Sequence, residues 1–256
     1  MLAHVISAIT LDRAIQYKKV TFCSARVATE LDGYKIAFIC DTHAIGARKL
    51  EIVVQELNKR QLNLLLLGGD FPSRGSAAKR TMEILSRIET TDGIYGVEGN
   101  HDIRPVLFRA MRENGIHPLV NNGVHVREHF FLAGLTDFWK FGANVQRAIR
   151  DARSDDFVLL VTHNPDVTMV QNTAGIDLIL SGHTHGGQIT FLGLWAPHFT
   201  FYKSITKYGQ RFRSGWAKSR DGIPVFVSNG TGTAPLSIVP RVFARPQVII
   251  MTLRTK

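Results

Sequence analysis

The chain has 256 residues, of which 45% are apolar and 20% are charged, and its formal net charge is +10 at pH 7. These proportions are typical of a globular domain and exclude a disordered or collagen-like chain. Two cysteines exclude a disulfide-stapled mini-protein, and no apolar run reaches the length of about 18 residues that a membrane-spanning helix needs.

Short apolar runs alternate with helical patterns along the chain. The predicted strands lie, in chain order, at 35–40, 62–67, 93–97, 130–135, 157–161, 178–180, 225–227 and 248–253. The predicted helices lie at 46–60, 76–89 and 104–114, and a short helix is expected between the strands at 157–161 and 178–180. Apolar residues recur on one face of the first helix, and Gly115 ends the third. This alternation predicts a layered α/β domain with a largely parallel sheet core.

The number of elements is sufficient for two sheets packed face to face with helices outside. We expect one domain over residues 1–256, in which residues 1–30 form an N-terminal extension or edge strand and residues 191–220 form a cap or loop. The N-terminus lacks the basic region of a signal peptide, and the two lone cysteines favour a reducing compartment. We therefore expect a cytoplasmic protein, with peripheral attachment to the inner face of the membrane as an alternative.

Polar residues follow five of the predicted strands, at the point where each strand ends. They are Asp41-Thr42-His43, Gly68-Gly69-Asp70, Gly99-Asn100-His101-Asp102, Thr162-His163-Asn164-Pro165 and Ser181-Gly182-His183-Thr184-His185-Gly186-Gly187. A lone histidine or Gly-Asp pair after a strand is usually a structural residue or a turn. In open α/β sheets, however, ligands bind at the carboxyl ends of the strands, so five such ends predict a shared crevice. Aspartate, histidine and asparagine without thiolate favour Mn, Fe or Zn over a structural zinc site.

The order of these motifs is D-x-H, G-D, G-N-H-D, a lone H and G-H-T-H, and it resembles that of the calcineurin-like metallophosphoesterase superfamily. The resemblance covers the chain from about residue 31 to its end, and it is most specific at residues 99–102 and 182–185. The chain is also similar to a bacterial branch with small phosphodiesterases and a UDP-2,3-diacylglucosamine pyrophosphatase of lipid A synthesis. This narrower similarity comes from residues 31–33, 186–189 and 228–233.

The resemblance implies a four-layer α/β/β/α sandwich with two divalent metal ions, for which Mn is favoured and Fe or Zn are alternatives. Carried over residue by residue, it assigns one ion to Asp41, His43 and His185, and the other to Asn100, His163 and His183. Asp70 would bridge both ions, and His101 would be the catalytic acid beside the phosphate.

Simple electrostatics agrees with this assignment. Two divalent ions outweigh the two carboxylates, so the site stays net positive and attracts a phosphate. Paired ions about 3.5–4 Å apart clamp the oxygens of an in-line displacement, and they lower the pKa of a bridging water towards about 7, which supplies hydroxide. His101 directly follows Asn100, so it reaches the same phosphate, and a general acid contributes about 10²–10⁴ in rate.

Three residues near these motifs, Ser73, Arg74 and Asp102, bear on how the catalytic histidine is oriented and how phosphate is bound. Many relatives have a second acid, in G-D-x-x-D, that orients the catalytic histidine in some phosphatases, and this chain has Ser73 at that position. Asp102 is next to His101, but adjacency in sequence does not establish that it takes that role. Arg74 falls where some family phosphatases bind phosphate, and an exposed arginine at a helix start is the other interpretation.

Positive charge is concentrated in the last third of the chain. Residues 178–256 carry a net charge of +9, while the first 177 residues are nearly neutral. Within residues 191–220, aromatic side chains alternate with basic ones and no acid occurs. The aromatic residues could fold back onto the core, they could meet an anionic membrane surface together with the basic residues, or they could stack on nucleic acid bases. No recognisable nucleic-acid module accompanies the segment, which makes nucleic acid the least favoured partner.

We therefore expect a metal-dependent phosphoester hydrolase, with phosphodiester or pyrophosphate cleavage as the preferred reaction. The expected substrate is a phosphorylated small molecule or a lipid-linked diphosphate such as UDP-2,3-diacylglucosamine. A nuclease or cyclic-nucleotide phosphodiesterase is the alternative enzyme. A non-catalytic scaffold of the same fold is the third alternative, but the chain retains every metal position of the family pattern.

Overall fold

The computed structural model describes residues 14–43, 45–72, 76–201, 205–233 and 241–256. Within these ranges, twelve strands form two six-stranded sheets. The strands are β1 (Gln16–Ser24), β2 (Lys35–Ile39), β3 (Leu64–Leu67), β4 (Ile94–Gly96), β5 (His117–Pro118), β6 (Asn122–Arg127), β7 (Phe130–Gly134), β8 (Phe157–Thr162), β9 (Leu178–Ser181), β10 (Gly215–Lys218), β11 (Pro224–Val227) and β12 (Gln247–Thr255). The helices are α1 (Ala47–Asn58), α2 (Ala77–Leu85), α3 (Arg104–Glu113), α4 (Val145–Ala148), α5 (Val167–Val170) and α6 (Pro197–Phe201). Short 3-10 helices lie at Thr29–Leu31, His185–Gly187 and Gly209–Phe212.

Most neighbouring strands are parallel, as the sequence predicts. The first sheet has the order β1-β12-β2-β3-β4-β5, in which β2 to β5 are parallel and β12 runs antiparallel to β2. The second sheet has the order β10-β11-β9-β8-β7-β6, in which only the edge strands β10 and β6 are antiparallel to their neighbours. The carboxyl ends of the parallel strands therefore lie at one edge of each sheet.

Side chains of each sheet alternate between two apolar layers. In β2, Ala37 and Ile39 pack with helices α1 to α3, whereas Ile36 and Phe38 face the second sheet. The opposite face of the second sheet packs against α4 and α5 through residues such as Phe131. Burial of each large apolar side chain stabilises this arrangement by about 1.5–3 kcal/mol. The predicted fold class, a mixed α/β sandwich with two sheets flanked by helices, is confirmed.

The sequence patterns did not predict β5, β6 and β10, and they offered β1 only as one option for residues 1–30. The strands β1 and β6 consist of half-buried and exposed residues, so they lack the continuous apolar run that marks the central strands. Their place is decided by backbone pairing, since β1 pairs along its full length with β12. Helix α2 ends at Leu85 rather than residue 89, and the other predicted helix ends agree within two residues.

The aromatic residues of the segment 191–220 fall into two groups. Phe199 and Phe212 are buried, so these side chains fold back onto the protein, whereas Phe191, Trp195 and Trp216 are exposed. Tyr202 and Lys203 lie outside the described residues, as do residues 1–13 of the predicted N-terminal extension. In the part of the chain that the structure covers, none of the helices has the length and apolar character to cross a bilayer.

Candidate metal centre

Loops from both sheets meet at one end of the sandwich. Asp41, Asp70 and Asn100 follow strands β2, β3 and β4 of the first sheet, and His163 and His183 follow β8 and β9 of the second. Because these strands are parallel within each sheet, their carboxyl ends deliver the polar side chains to a shared crevice. The predicted ligands are buried, apart from Asn100, which is half-buried.

Five predicted ligands have a backbone conformation that L-amino acids rarely adopt. The φ angle is 51° at Asp41, 42° at His43, 59° at Asp70, 73° at His183 and 52° at His185. A left-handed backbone costs a non-glycine residue about 1–2 kcal/mol. Such strain is concentrated at functional sites, where the surrounding structure maintains it. The conformation of the loops therefore supports a functional role independently of their chemistry.

Glycines allow these loops to approach one another. A Cβ atom on Gly69 would lie 2.5 Å from the backbone nitrogen of Gly99, and one on Gly182 would lie 2.4 Å from Oδ2 of Asp41. A side chain at either position would collide with the neighbouring loop. The glycines of the G-D and G-H motifs are thus required by the close approach of the ligand loops.

Asp41, His43 and His185 form the first ligand set. The Nε2 atoms of His43 and His185 are 3.0 Å apart, and Nε2 of His185 lies 3.4 Å from Oδ1 of Asp41. One ligand atom of each residue lies within 4.8 Å of the other two. The structure therefore brings together the three residues that the family resemblance assigns to one ion.

Asp70, Asn100, His163 and His183 form the second ligand set, with His163 at its middle. Nε2 of His163 lies 3.3 Å from Oδ2 of Asp70, 3.1 Å from Oδ1 of Asn100 and 3.2 Å from Nδ1 of His183. Oδ2 of Asp70 also lies 3.6 Å from Nε2 of His43, so one carboxylate oxygen faces both ligand sets.

These separations suit atoms that share a divalent ion. Ligand atoms about 2.0–2.2 Å from an ion are about 2.8–3.6 Å from one another at tetrahedral or octahedral angles. The ring nitrogens at 3.0 and 3.2 Å and the nitrogen–carboxylate pairs at 3.3, 3.4 and 3.6 Å fall in this range. Imidazole nitrogens with carboxylate and amide oxygens are a donor set for transition ions such as Mn, Fe or Zn. The residues present therefore fit divalent metal ions.

Outer hydrogen bonds orient two of the histidine rings. Nδ1 of His163 lies 2.8 Å from the carbonyl oxygen of Gly68 and donates to it, which directs Nε2 into the centre. His183 is reversed, because its Nε2 donates to the carbonyl of Ile205 at 2.8 Å and its Nδ1 faces the centre. Bonds of this kind set the tautomer and orientation of metal-binding histidines.

Burial and neighbouring charges shift the pKa values of the histidines in the centre in different directions. Burial lowers the pKa of His183 to about 3, and the neighbouring His163 adds to this effect. Burial and then the Arg241 guanidinium hold the pKa of His185 well below its usual value. Burial alone would also lower the pKa of His163, but the Asp70 carboxylate outweighs it and raises that pKa to about 10. Metal ions bind neutral imidazole, so ion binding must displace the proton of His163.

His101 lies at the accessible rim of the centre. Its side chain is exposed, its ring centroid is 5.6 Å from that of His43, and its backbone N–H donates to Oδ1 of Asp70 at 2.8 Å. A group in this position can touch a substrate bound at the ligand sets. Ser73 and Arg74 lie outside the described residues, so the phosphate-binding role of Arg74 stays a prediction.

Asp102 is buried, and its carboxylate faces backbone rather than the His101 ring. It accepts the N–H groups of Gly99, Asp70 and Phe71 at 2.8, 2.8 and 2.9 Å. Asp102 thus connects the loop after β4 to the loop after β3, a positioning role that the sequence did not predict.

Two further residues that the sequence analysis missed lie against the ligands. The buried Arg241 donates from Nη1 to the carbonyl of His185 at 3.0 Å, and its Nη2 lies 3.2 Å from Nδ1 of the His185 ring. The ring of Trp139 stands edge-on to that of His183, with centroids 4.8 Å apart. Trp139 follows β7, so the strand-end argument applied to that strand could have found it. Arg241 comes from a loop before β12 and carries no comparable sequence signal.

A family model described as calcineurin-like phosphoesterase matches residues 34–187, a span that contains every predicted metal ligand and His101. The chain belongs to this family. Family membership and the two ligand sets support a metal-dependent phosphoesterase that uses divalent ions.

Similar curated proteins occur in bacteria and vertebrates. The chain is 26% identical over 212 residues to an uncharacterized metallophosphoesterase of Helicobacter pylori (strain ATCC 700392 / 26695), covering 77% of this chain and 54% of that protein. It is 28% identical over 228 residues to the uncharacterized protein YpbG of Bacillus subtilis, covering 85% and 80%. It is 26% identical over 218 residues to a transmembrane protein with metallophosphoesterase domain of Bos taurus, covering 74% and 49%. The chain thus spans about half the length of the first and third of these relatives.

Proposed function

We propose that the chain is a dinuclear metal phosphohydrolase that cleaves phosphodiesters or pyrophosphates, with Mn as the favoured metal. The observation that carries this proposal is the position of Oδ2 of Asp70, which lies 3.6 Å from Nε2 of His43 and 3.3 Å from Nε2 of His163. A carboxylate that faces both ligand sets is suited to bridge two ions. One ion would be held by Asp41, His43 and His185, and the other by Asn100, His163 and His183.

Bound divalent ions supply Lewis acidity and an activated water. The protein contributes only two negative charges to the ligand sets, those of Asp41 and Asp70, because Asn100 is uncharged. With two divalent ions bound, the centre would stay net positive and would stabilise charge that develops on a phosphate. The exposed ring of His101 would donate a proton to the leaving-group oxygen, and its backbone bond to Asp70 keeps it beside the ligands.

We infer that the substrate is a lipid-linked diphosphate, with UDP-2,3-diacylglucosamine of lipid A synthesis as the specific candidate. The similarity of residues 186–189 and 228–233 to that bacterial branch supports this choice. Exposed apolar side chains at residues 189–195 follow the ligand loop directly. A positive centre suits the diphosphate, and an apolar rim suits acyl chains.

The test is turnover by protein that has been stripped with EDTA and then supplied with Mn²⁺. Bis(p-nitrophenyl) phosphate and p-nitrophenyl phosphate are compared, and bound metal is counted by elemental analysis. We expect Mn²⁺-dependent cleavage of the diester, with Asp70→Asn inactive and depleted of metal. Asp92→Asn is the matched control, since Asp92 pairs with Tyr34 and Arg127 away from the centre, and it should retain activity and metal.

Different results would contradict the diesterase reaction, the metal centre and the substrate. A preference for the monoester would contradict the diesterase assignment, and full activity without divalent ions would contradict the metal centre. Diester cleavage with no action on UDP-2,3-diacylglucosamine would leave the reaction in place and refute the proposed substrate.

A further inference from the structure

Residues 189–195, here called the apolar loop, present a cluster of exposed apolar side chains shortly after the metal ligand His185 in the sequence. Leu194 is 74% exposed, Phe191 66% and Leu192 58%. Ile189 and Trp195 of the same loop are also exposed, as is the neighbouring Phe243. These six make up half of the exposed large apolar side chains in the described part of the chain. Scattered apolar residues are normal on a surface, but a contiguous group of this kind indicates an interaction site.

The backbone of the apolar loop is hydrogen-bonded both within the loop and to the neighbouring Val242. The N–H of Phe191 donates to the carbonyl of Trp195 at 2.7 Å, and the N–H of Thr190 donates to that of Val242 at 2.9 Å. The hydroxyl of Thr190 accepts the N–H of Gly193 at 3.0 Å. These bonds hold the backbone in a closed turn while the large side chains point outward. Polar backbone groups that are already paired can enter an apolar environment at lower cost.

Basic side chains lie next to the apolar loop. The side chain of Gln210 both accepts from and donates to the backbone of Ala196 at 3.0 and 2.7 Å, so it ties the 3-10 helix Gly209–Phe212 to the end of the loop. That helix carries the exposed Arg211, and Lys207 and Lys218 nearby are exposed as well. No Asp or Glu occurs between residues 178 and 220. The segment that carries the apolar loop is therefore positively charged.

We propose that the apolar loop, together with these basic residues, docks the protein onto an anionic lipid surface. Aromatic and aliphatic side chains are favoured at the membrane interface, and lysine and arginine are attracted to anionic head groups. The charge complementarity selects an anionic bilayer over a neutral one. The loop begins four residues after His185, so docking places the metal centre close to the membrane surface. Vesicle binding requires no turnover, so it can fail or succeed separately from the proposed reaction.

The test is co-sedimentation of the full chain with phosphatidylcholine vesicles that contain or lack phosphatidylglycerol. We expect binding at least about tenfold tighter to the anionic vesicles, and weaker binding as salt is raised. Phe191→Ser combined with Leu194→Ser should reduce binding at least about tenfold, and Arg211→Glu should reduce it about fivefold or more. Ile52→Ser combined with Val170→Ser is the matched control, because these side chains are about half exposed on other surfaces.

Thermal unfolding and far-ultraviolet circular dichroism show whether each variant is folded. Loss of vesicle binding by the loop variant, with both readouts unchanged, supports the proposal. The proposal is overturned if the wild type ignores anionic vesicles, or if the loop variant and the Ile52 and Val170 control bind equally well. It is also overturned if size-exclusion chromatography shows a dimer that the loop substitutions dissociate while vesicle binding stays the same.

Discussion

Replacing Arg241 with methionine removes a buried cation that joins the loops around the first ligand set. The Arg241 side chain is almost fully buried. Its guanidinium donates to the carbonyls of Gly232 at 2.9 Å, Asn229 at 2.7 Å, Ala244 at 2.9 Å and His185 at 3.0 Å. These acceptors belong to three separate stretches of the chain, so one side chain crosslinks them.

The expected loss of folding stability follows from the backbone carbonyls that lose their hydrogen-bond donor. Methionine has a similar length but cannot donate, so four buried carbonyls would lose a charge-assisted hydrogen bond. An orphaned buried acceptor costs about 1–3 kcal/mol, and part of this is offset because the buried charge is itself expensive. We expect the free energy of unfolding to fall by about 3–5 kcal/mol. The whole free energy of unfolding of a domain is only about 5–15 kcal/mol, so this loss is a large share of it.

Urea denaturation of metal-stripped protein measures this loss. Arg245→Met is the matched control, since Arg245 is half-buried and donates from Nε to the carbonyl of Ala14, and it should cost less than about 1 kcal/mol. Arg241→Lys keeps the charge with fewer donors and should fall between the two. If Arg241→Met and Arg245→Met lose the same free energy within error, Arg241 does not crosslink the loops and the reasoning is wrong.

His101→Gln should lower kcat by about 10²–10⁴-fold. Mn²⁺ binding, measured by calorimetry, should stay unchanged, and a parallel loss of bound metal would contradict the role of His101 as an acid. Asp102→Ala leaves three backbone N–H groups without an acceptor and should lower the free energy of unfolding by about 3 kcal/mol, measured by urea denaturation. An unchanged urea midpoint would contradict the role of Asp102 in connecting the loops after β3 and β4. Burial lowers the pKa of His43, His183 and His185, so unfolding takes up protons below about pH 6.5. Metal-stripped protein should therefore lose stability as the pH falls from about 6.5 towards 5, and a constant Tm over that range would refute this.

The central strands could be predicted from sequence, because residues such as those of β2 and β8 form apolar runs whose burial needs two covering layers. The exposed edge strand β6 could not, since its half-polar sequence becomes a strand only through pairing with β7. In the same way, residue composition predicted an aromatic and basic segment. Only packing decided that Phe199 and Phe212 are buried while Phe191 is exposed.

The sequence by itself determined which donor atoms the centre has, because donor atoms and their places after strands are local properties of the chain. It also determined the family, since the spacing of the motifs is read along the chain. Only the tertiary structure decided that Oδ2 of Asp70 faces both His43 and His163, and that Arg241 contacts His185 across 56 positions. Contacts between residues far apart in sequence depend on how the two sheets pack together, and no local pattern encodes that packing.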